Sequence, residues 1–171
     1  MGTYYKFTLE NDKQIDIFDD VFPLDFRLHL YSIAKSSNFR IGWSDTDVPK
    51  RKSNDYFLHS LWSHEEINNI GILALLKESY VDQFIEDYKV EKTVLNLSTP
   101  SDVNYIHTHP EKKVLLYYVN VDWKEGWHGE TQFYSENLKQ VQFTSPYTPG
   151  RLLLFDAKIP HAIRPQSIIG P

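Results

Sequence analysis

From residue 92 onward the chain alternates short apolar segments with turn-forming residues, and this pattern limits the possible folds more than any other feature of the sequence. The segments of strand length are Lys92–Leu97, Val103–His107, Val114–Val119, Glu130–Tyr134, Val141–Thr144, Arg151–Phe155 and His161–Ile163. Pro149 and Gly150 take the two central positions of a predicted type II turn. Short strands at such spacing are typical of a sandwich or a barrel.

The first 90 residues predict a hairpin of strands followed by helices. The strands are predicted at Tyr4–Leu9 and Gln14–Phe18, and the helical regions at Asp20–Ser36 and Ser63–Tyr88. Ser63 and Glu66 have the spacing of a capping box, in which each side chain bonds to the backbone N–H of the other residue. A break in the second helical region is expected near Glu78–Tyr80. Helices followed by a set of strands predict an α+β jelly roll.

The length and composition fit one globular domain. The 171 residues are 41% hydrophobic and 24% charged, which is the balance of neither a disordered chain nor a membrane span. We expect a single domain over residues 1–171, with helical support at 20–89 and a strand core at 90–165. The polar run Asp45–Asn54 is predicted to be a loop within this domain rather than a boundary.

The cysteine content and the charge exclude several functions. A chain without cysteine has no disulfide framework, no thiol nucleophile and no iron–sulfur cluster. The net charge of −5 provides no basic surface for a nucleic acid backbone. The start of the chain lacks the apolar stretch of a signal peptide, and no apolar run is long enough to cross a bilayer. The sequence therefore predicts a soluble, cytoplasmic protein that binds neither nucleic acid nor membrane, and it does not indicate the oligomeric state.

Three of the seven histidines stand where a small β-barrel could gather them. His107 and His109 are separated by one residue, so their side chains share a face if this segment is a strand. His161 lies 54 residues after His107, on a later predicted strand. Three such ligands can occupy three corners of an octahedron and leave the opposite face open, as in a non-haem Fe(II) site. The alternative is a pair of exposed strand histidines without a metal.

Six motifs follow one another in order within residues 94–165. They are His107–His109, Leu115–Asn120, Trp127–Phe133, Pro149–Leu152, Phe155–Asp156 and Pro160–His161. As an ordered set they resemble the 2-oxoglutarate/Fe(II)-dependent dioxygenases, and within that superfamily the prolyl-4-hydroxylase-like branch. The resemblance implies a double-stranded β-helix, a cupin-like jelly roll with supporting helices at its N-terminal side.

The resemblance also implies a chemistry. It implies an oxygenase that hydroxylates a C–H bond of a peptidyl (prolyl-type) or small-molecule substrate and releases succinate and CO2 as co-products. Fe(II) and 2-oxoglutarate are the implied cofactors, with ascorbate as an optional further one. In such a site the cofactor supplies the difficult chemical step, and the protein supplies the ligands, a dry pocket and the orientation of the target carbon.

The third metal ligand departs from the family pattern. The family has Asp or Glu two residues after the first histidine, where this chain has His109. Either His107, His109 and His161 hold the metal together, or the motif shifts by two residues and Glu111 becomes the third ligand. We favour the first register, because Pro110 cannot donate to a sheet ladder and is better placed at a strand end. Three neutral ligands would leave more positive charge on the metal than a site with one carboxylate.

The cosubstrate site is a second departure. By resemblance, Thr131, Tyr117 and Tyr105 are candidates to bind 2-oxoglutarate; Tyr117 and Tyr118 alternate across their strand, so only one of them can face the interior. The family has a basic residue on the strand after the distal histidine. Here the nearest cation is Arg164, at an odd separation of three residues that points it away from the histidine face. A short variant without the last strand would have an incomplete site, so the alternative function is a metal- or ligand-binding jelly roll without oxygenase activity.

Overall fold

The computed structural model describes residues 2–42, 58–102 and 106–170, which form ten strands and four helices. The strands are β1 (Thr3–Thr8), β2 (Gln14–Asp19), β3 (Arg40–Ile41), β4 (Leu58–Trp62), β5 (Thr93–Leu97), β6 (Lys113–Tyr117), β7 (Thr131–Tyr134), β8 (Val141–Ser145), β9 (Leu152–Asp156) and β10 (His161–Ile163). The helices are α1 (Leu24–Lys35), α2 (His64–Ile70), α3 (Ile72–Glu78) and α4 (Asp82–Ile85). None of these helices combines the length and the apolarity that a membrane span requires.

Antiparallel sheets dominate this mixed α/β fold, and two of them share one core. The larger sheet has the strand order β1-β2-β9-β6, and the smaller has the order β10-β7-β8. A third sheet has the order β3-β4-β5 and shares no strand with the other two. The inner core, whose fully buried members include Ile15, Phe133, Leu153 and Phe155, draws its side chains from both of the first two sheets. Burial of this apolar surface holds the two sheets together as a sandwich.

Strand β9 is buried on both faces. Leu153 and Phe155 belong to the inner core, whereas Leu152 and Leu154 point to the opposite face. There they pack with apolar residues of the helical layer, such as Leu76 of α3. Because successive side chains of a strand alternate, an unbroken apolar run such as this one suits a strand that is covered on both sides.

A tight turn precedes β9 and is tied to β2. The N–H of Arg151 donates to the carbonyl oxygen of Thr148 at 3.0 Å, and Gly150 has a φ of +83°. The predicted type II turn is therefore confirmed, since its third residue requires positive φ. Arg151 also donates from Nε and Nη2 to the two carboxylate oxygens of Asp19, at 2.7 and 2.8 Å. This ion pair anchors the start of β9 to the end of β2.

The predicted strands are confirmed with shifts of a residue or two at their ends, except Val103–His107, whose described part forms only the isolated bridge of His107. The N-terminal hairpin forms, with β1 and β2 antiparallel, and His161–Ile163 forms β10 as predicted. Most of Val103–His107 and all of Asp45–Asn54 lie outside the described residues. Strands β3 and β4 form where no strand was predicted, because β3 pairs with β4 and β4 pairs with β5 across long separations in sequence.

The helical predictions are confirmed with altered boundaries. Helix α1 starts four residues later than predicted, because Pro23 precedes it in an extended conformation and also restricts the residue before it. The capping box is present: Ser63 Oγ accepts from the N–H of Glu66 at 3.1 Å, and the N–H of Ser63 donates to Glu66 Oε2 at 2.6 Å. The break near Glu78–Tyr80 is confirmed, and Gly71, with a φ of +89°, adds a second one.

Candidate metal centre

An antiparallel bridge brings His107 next to His161. The N–H of His107 donates to the carbonyl oxygen of His161 at 2.9 Å, and the N–H of His161 donates to the carbonyl oxygen of His107 at 3.0 Å. Residues that exchange both bonds lie directly opposite each other, so their side chains share one face of the sheet. The bridge also adds the His107 segment to the smaller sheet, beside β10.

Backbone contacts rather than a strand hold His109. Its N–H donates to the carbonyl oxygen of Ala157 at 2.9 Å. The ammonium group of Lys158 donates to the carbonyl oxygens of His109 and Pro110, at 2.9 and 3.4 Å. These bonds fasten the chain on both sides of the imidazole, and His109 is only 9% exposed. The ring therefore sits in a fixed position beside the other two histidines.

The three imidazoles form a group that could hold a metal ion. One ring nitrogen from each of His107, His109 and His161 lies within 4.8 Å of the other two. The Nε2 atoms of His109 and His161 are 3.2 Å apart. An ion with metal–imidazole bonds of about 2.1 Å would meet both atoms at an angle of about 100°. That angle lies between the octahedral and tetrahedral values, so the donor set fits a first-row divalent ion, Fe(II) included.

His161 is prepared as a ligand by its surroundings. It is 2% exposed, and its Nδ1 lies 2.8 Å from the carbonyl oxygen of Ile159, which can only accept. Nδ1 therefore carries the proton, and Nε2 presents its lone pair toward His109. Burial, followed by repulsion from His107, lowers the pKa of His161 to about 3. The ring of Phe155 packs edge-on against it at 4.8 Å between centroids, which keeps this side of the site dry.

Glu111, the alternative third ligand, lies outside the three-histidine group. Its Oε1 is 3.3 Å from the Nζ of Lys92, and its Oε2 is buried without a hydrogen-bond partner. Burial by itself would raise the pKa of Glu111. A hydrogen bond from its own backbone N–H, the charge of Lys92 and the nearby His109 outweigh that effect and hold the pKa below its usual value. The structure thus gathers the residues of the first register and pairs Glu111 with a lysine.

Thr131 lies on the histidine side of the smaller sheet. In the pairing of β7 with β10, Phe133 is opposite His161 and Thr131 is opposite Ile163, so all four side chains share a face. Thr131 is fully buried, and its Oγ1 accepts a hydrogen bond of 2.7 Å from the hydroxyl of Tyr118. Since Tyr118 supplies that proton, the proton of the threonine hydroxyl can be donated elsewhere.

Of the two adjacent tyrosines, Tyr118 faces the interior. It belongs to the inner core and is 3% exposed. Tyr117 points to the helical layer, where its ring contacts Phe22 at 5.3 Å between centroids and its hydroxyl bonds to Arg27. Tyr117 therefore lies away from the histidines, and the candidate for the cosubstrate pocket on this strand is Tyr118. The sequence predicted that the two tyrosine side chains point in opposite directions. The packing of the strand against the core determines which of them points inward.

Arg164 is engaged away from the metal centre. Its Nη1 is 2.7 Å from Glu130 Oε1, and its Nη2 is 3.0 Å from His128 Nε2. This placement agrees with the odd separation from His161 along the strand. Tyr105, the remaining candidate for the cosubstrate pocket, lies outside the described residues.

No motif in the sequence predicted the contacts that two lysines make near this centre. Lys158 fastens the backbone around His109, and Lys92 pairs with Glu111. Lysines are common surface residues, and neither lies within a recognisable motif. Only the folding of distant segments against each other reveals their contacts.

Comparisons with known proteins do not identify the chain. No family model matches it, and no curated protein matches it either. What the protein does must therefore be inferred from the residues and the geometry of the site.

Proposed function

We propose that this protein is a 2-oxoglutarate- and Fe(II)-dependent dioxygenase whose metal is held by His107, His109 and His161. The observation that carries the proposal is the convergence of these three imidazoles, from segments 52 or more residues apart, on one side of a buried apolar core. The substrate is a peptidyl (prolyl-type) or small-molecule C–H bond. The six ordered motifs of the sequence support the same assignment.

The arrangement of the strands supports a jelly-roll interpretation of the fold. The bridge between His107 and His161 extends the smaller sheet by one position. The order of this sheet is then the His107 segment, β10, β7 and β8. It faces the four strands β1-β2-β9-β6 of the larger sheet. These seven strands and the bridged His107 segment match the eight positions, in two facing antiparallel sheets, of a jelly roll. In that arrangement the histidines lie at one end of the layer between the sheets.

The surrounding residues have separable roles in this proposal. The carbonyl oxygen of Ile159 fixes the tautomer and the orientation of His161, as an outer partner does for a metal-ligating imidazole. Phe133 and Phe155 exclude water from the inner face of the ring. Thr131 has a hydroxyl proton to donate to a carboxylate of the cosubstrate. Fe(II), when bound, would supply the oxidation chemistry.

An anaerobic titration with Fe(II), in the presence and absence of 2-oxoglutarate, tests the proposal. We expect Fe(II) to bind the protein, and 2-oxoglutarate to produce a weak visible charge-transfer band. Admission of O2 should then release succinate in amounts that depend on both additions. Fe(II) binding with neither the band nor succinate would contradict the oxygenase assignment.

A second candidate is a metal-binding jelly roll without oxygenase activity. The observation in its favour is that Arg164 is already paired with Glu130 and His128. The basic partner that the family uses for the far carboxylate of 2-oxoglutarate is therefore not offered by this residue. The same titration separates the two functions, because this candidate binds Fe(II) with no spectral response to 2-oxoglutarate.

A further inference from the structure

A centre of three imidazoles brings no negative charge to the ion it holds. Neutral imidazoles carry no charge, so a divalent cation held by three of them would keep its full charge. A cation in a partly dry site is stabilised by opposite charge close by, and the surrounding residues matter as much as the ligands. A carboxylate beside the three histidines that keeps an unpartnered oxygen could supply that charge.

Glu111 is such a carboxylate. It stands two residues after His109, and its side chain is 19% exposed. The carboxylate takes a contact of 3.3 Å from Lys92 at Oε1 and a hydrogen bond from its own backbone N–H, whereas Oε2 is buried with no hydrogen-bond partner. Burying a polar atom without a partner is unfavourable, and more so for a charged group. These contacts favour the charged form of Glu111, but they leave one of its two oxygens without a partner.

A purely structural ion pair does not account for this arrangement. A pair that served only to join the start of β5 to the approach of β6 would be stronger with both oxygens bonded. Lys92 is itself 37% exposed, so solvent weakens its attraction to Glu111. Oε2 is thus left without a partner by the ion pair, and the carboxylate is close enough to His109 for their charges to interact.

We propose that Glu111 is the charge-compensating carboxylate of the metal centre: it lies outside the three-histidine group, Lys92 holds it in the metal-free protein, and it stabilises a divalent cation bound by the three imidazoles. This inference rests on the metal-binding part of the proposed function and does not depend on the oxygenase reaction. Glu111 acts here through its charge and not as a fourth ligand.

Anaerobic calorimetric titration with Fe(II) tests this role on the intact protein. Glu111→Gln keeps the shape of the side chain and removes the charge, and we expect its affinity for Fe(II) to fall roughly tenfold, within the range for residues just outside a metal's ligands. Lys92→Met removes the competing cation, so its affinity should rise severalfold. In the double variant the gain from Lys92→Met should vanish, because it works through Glu111.

A matched control is Glu136→Gln, which removes a carboxylate that is also paired with a lysine, Lys13, at 3.2 Å. It should leave the affinity for Fe(II) unchanged. The metal-free Glu111→Gln variant should unfold at a somewhat lower urea concentration than the wild type, since the fold lowers the pKa of this carboxyl and so gains stability from its charged form at neutral pH.

Three results would overturn the role of Glu111: an unchanged affinity in Glu111→Gln, equal losses in Glu111→Gln and Lys92→Met, or no gain in Lys92→Met. Failure of the wild-type protein to bind Fe(II) is a different outcome. It would remove the metal centre itself and the proposed function with it, whereas wild-type binding with an indifferent Glu111→Gln variant removes only this inference.

Discussion

The Arg151–Asp19 and Lys92–Glu111 ion pairs each join distant segments, but only the first is complete within the chain. Arg151 makes two contacts of 2.7 and 2.8 Å with Asp19, and the two side chains are 14% and 18% exposed. Lys92 makes one contact of 3.3 Å with Glu111 and leaves a buried oxygen unpartnered. The first pair completes its role when the chain folds. The second, in the role proposed for Glu111, is completed only when the metal centre holds a cation.

The same contrast extends to the residues around the two pairs. Arg151 directly precedes β9, the strand that is buried on both faces, so its surroundings are the scaffold. Glu111 lies just after the metal-binding candidate His109, so its surroundings are the site. A scaffold ion pair and a site ion pair should therefore respond differently to substitution: one through stability, the other through ligand affinity.

The largest effect is expected from Arg151→Met. This change leaves Asp19, whose side chain is only 18% exposed, without its partner. The cost should lie at the lower end of the range for buried pairs, about 3 kcal/mol. The free energy of unfolding, measured in urea, checks this value. The affinity of the folded protein for Fe(II) should not change. A variant with wild-type stability and weakened metal binding would reverse the roles assigned to the two ion pairs.

His161→Ala is expected to weaken Fe(II) binding by more than about 100-fold, beyond the range seen for residues outside the ligand set. Isothermal titration under anaerobic conditions measures this loss. His128→Ala is the control, since His128 contacts Arg164 and lies outside the three-histidine group. If the two variants bind Fe(II) equally well, His161 is not a ligand.

Tyr118→Phe should reduce the free energy of unfolding by about 1.5 kcal/mol, because the fully buried hydroxyl of Thr131 loses its donor. The double variant Tyr118→Phe/Thr131→Val replaces both polar groups and should recover most of that loss. Urea denaturation of the two single variants and the double variant provides the complete cycle. If the losses of unfolding free energy in the two single variants add up to the loss in the double variant, the hydrogen bond does not couple Tyr118 and Thr131.

The smallest effect is a pH dependence of the metal-free protein. The pKa of His161 is lowered from 6.5 to about 3 in the folded state, so between these values the unfolded chain binds more protons. The stability contributed by neutral His161 is complete above pH 6.5 and declines as the pH falls, by at most about 1.4 kcal/mol per pH unit. Urea midpoints at pH 5.5 and 7 measure this change. His161→Phe should flatten the profile, and an unchanged slope in that variant would contradict the assignment.

Local patterns were sufficient for much of the fold. The alternating and continuous apolar runs predicted the hairpin and the later strands, Ser63 and Glu66 predicted a capping box, and Pro149 with Gly150 predicted the turn before β9. Each of these features depends on the backbone preferences of a few adjacent residues, so a short window of sequence contains the relevant information. The single-domain organisation and the cytoplasmic location stay predictions.

The amino-acid sequence by itself determined which histidines could share a strand face and that only one of Tyr117 and Tyr118 could point inward. The tertiary structure decided that His107 and His161 are opposite each other, that Tyr118 is the inward residue, and that Glu111 pairs with Lys92 rather than joining the histidines. The reason is physical: these outcomes depend on how strands pair in register and how layers pack, and such contacts join residues that no local pattern relates.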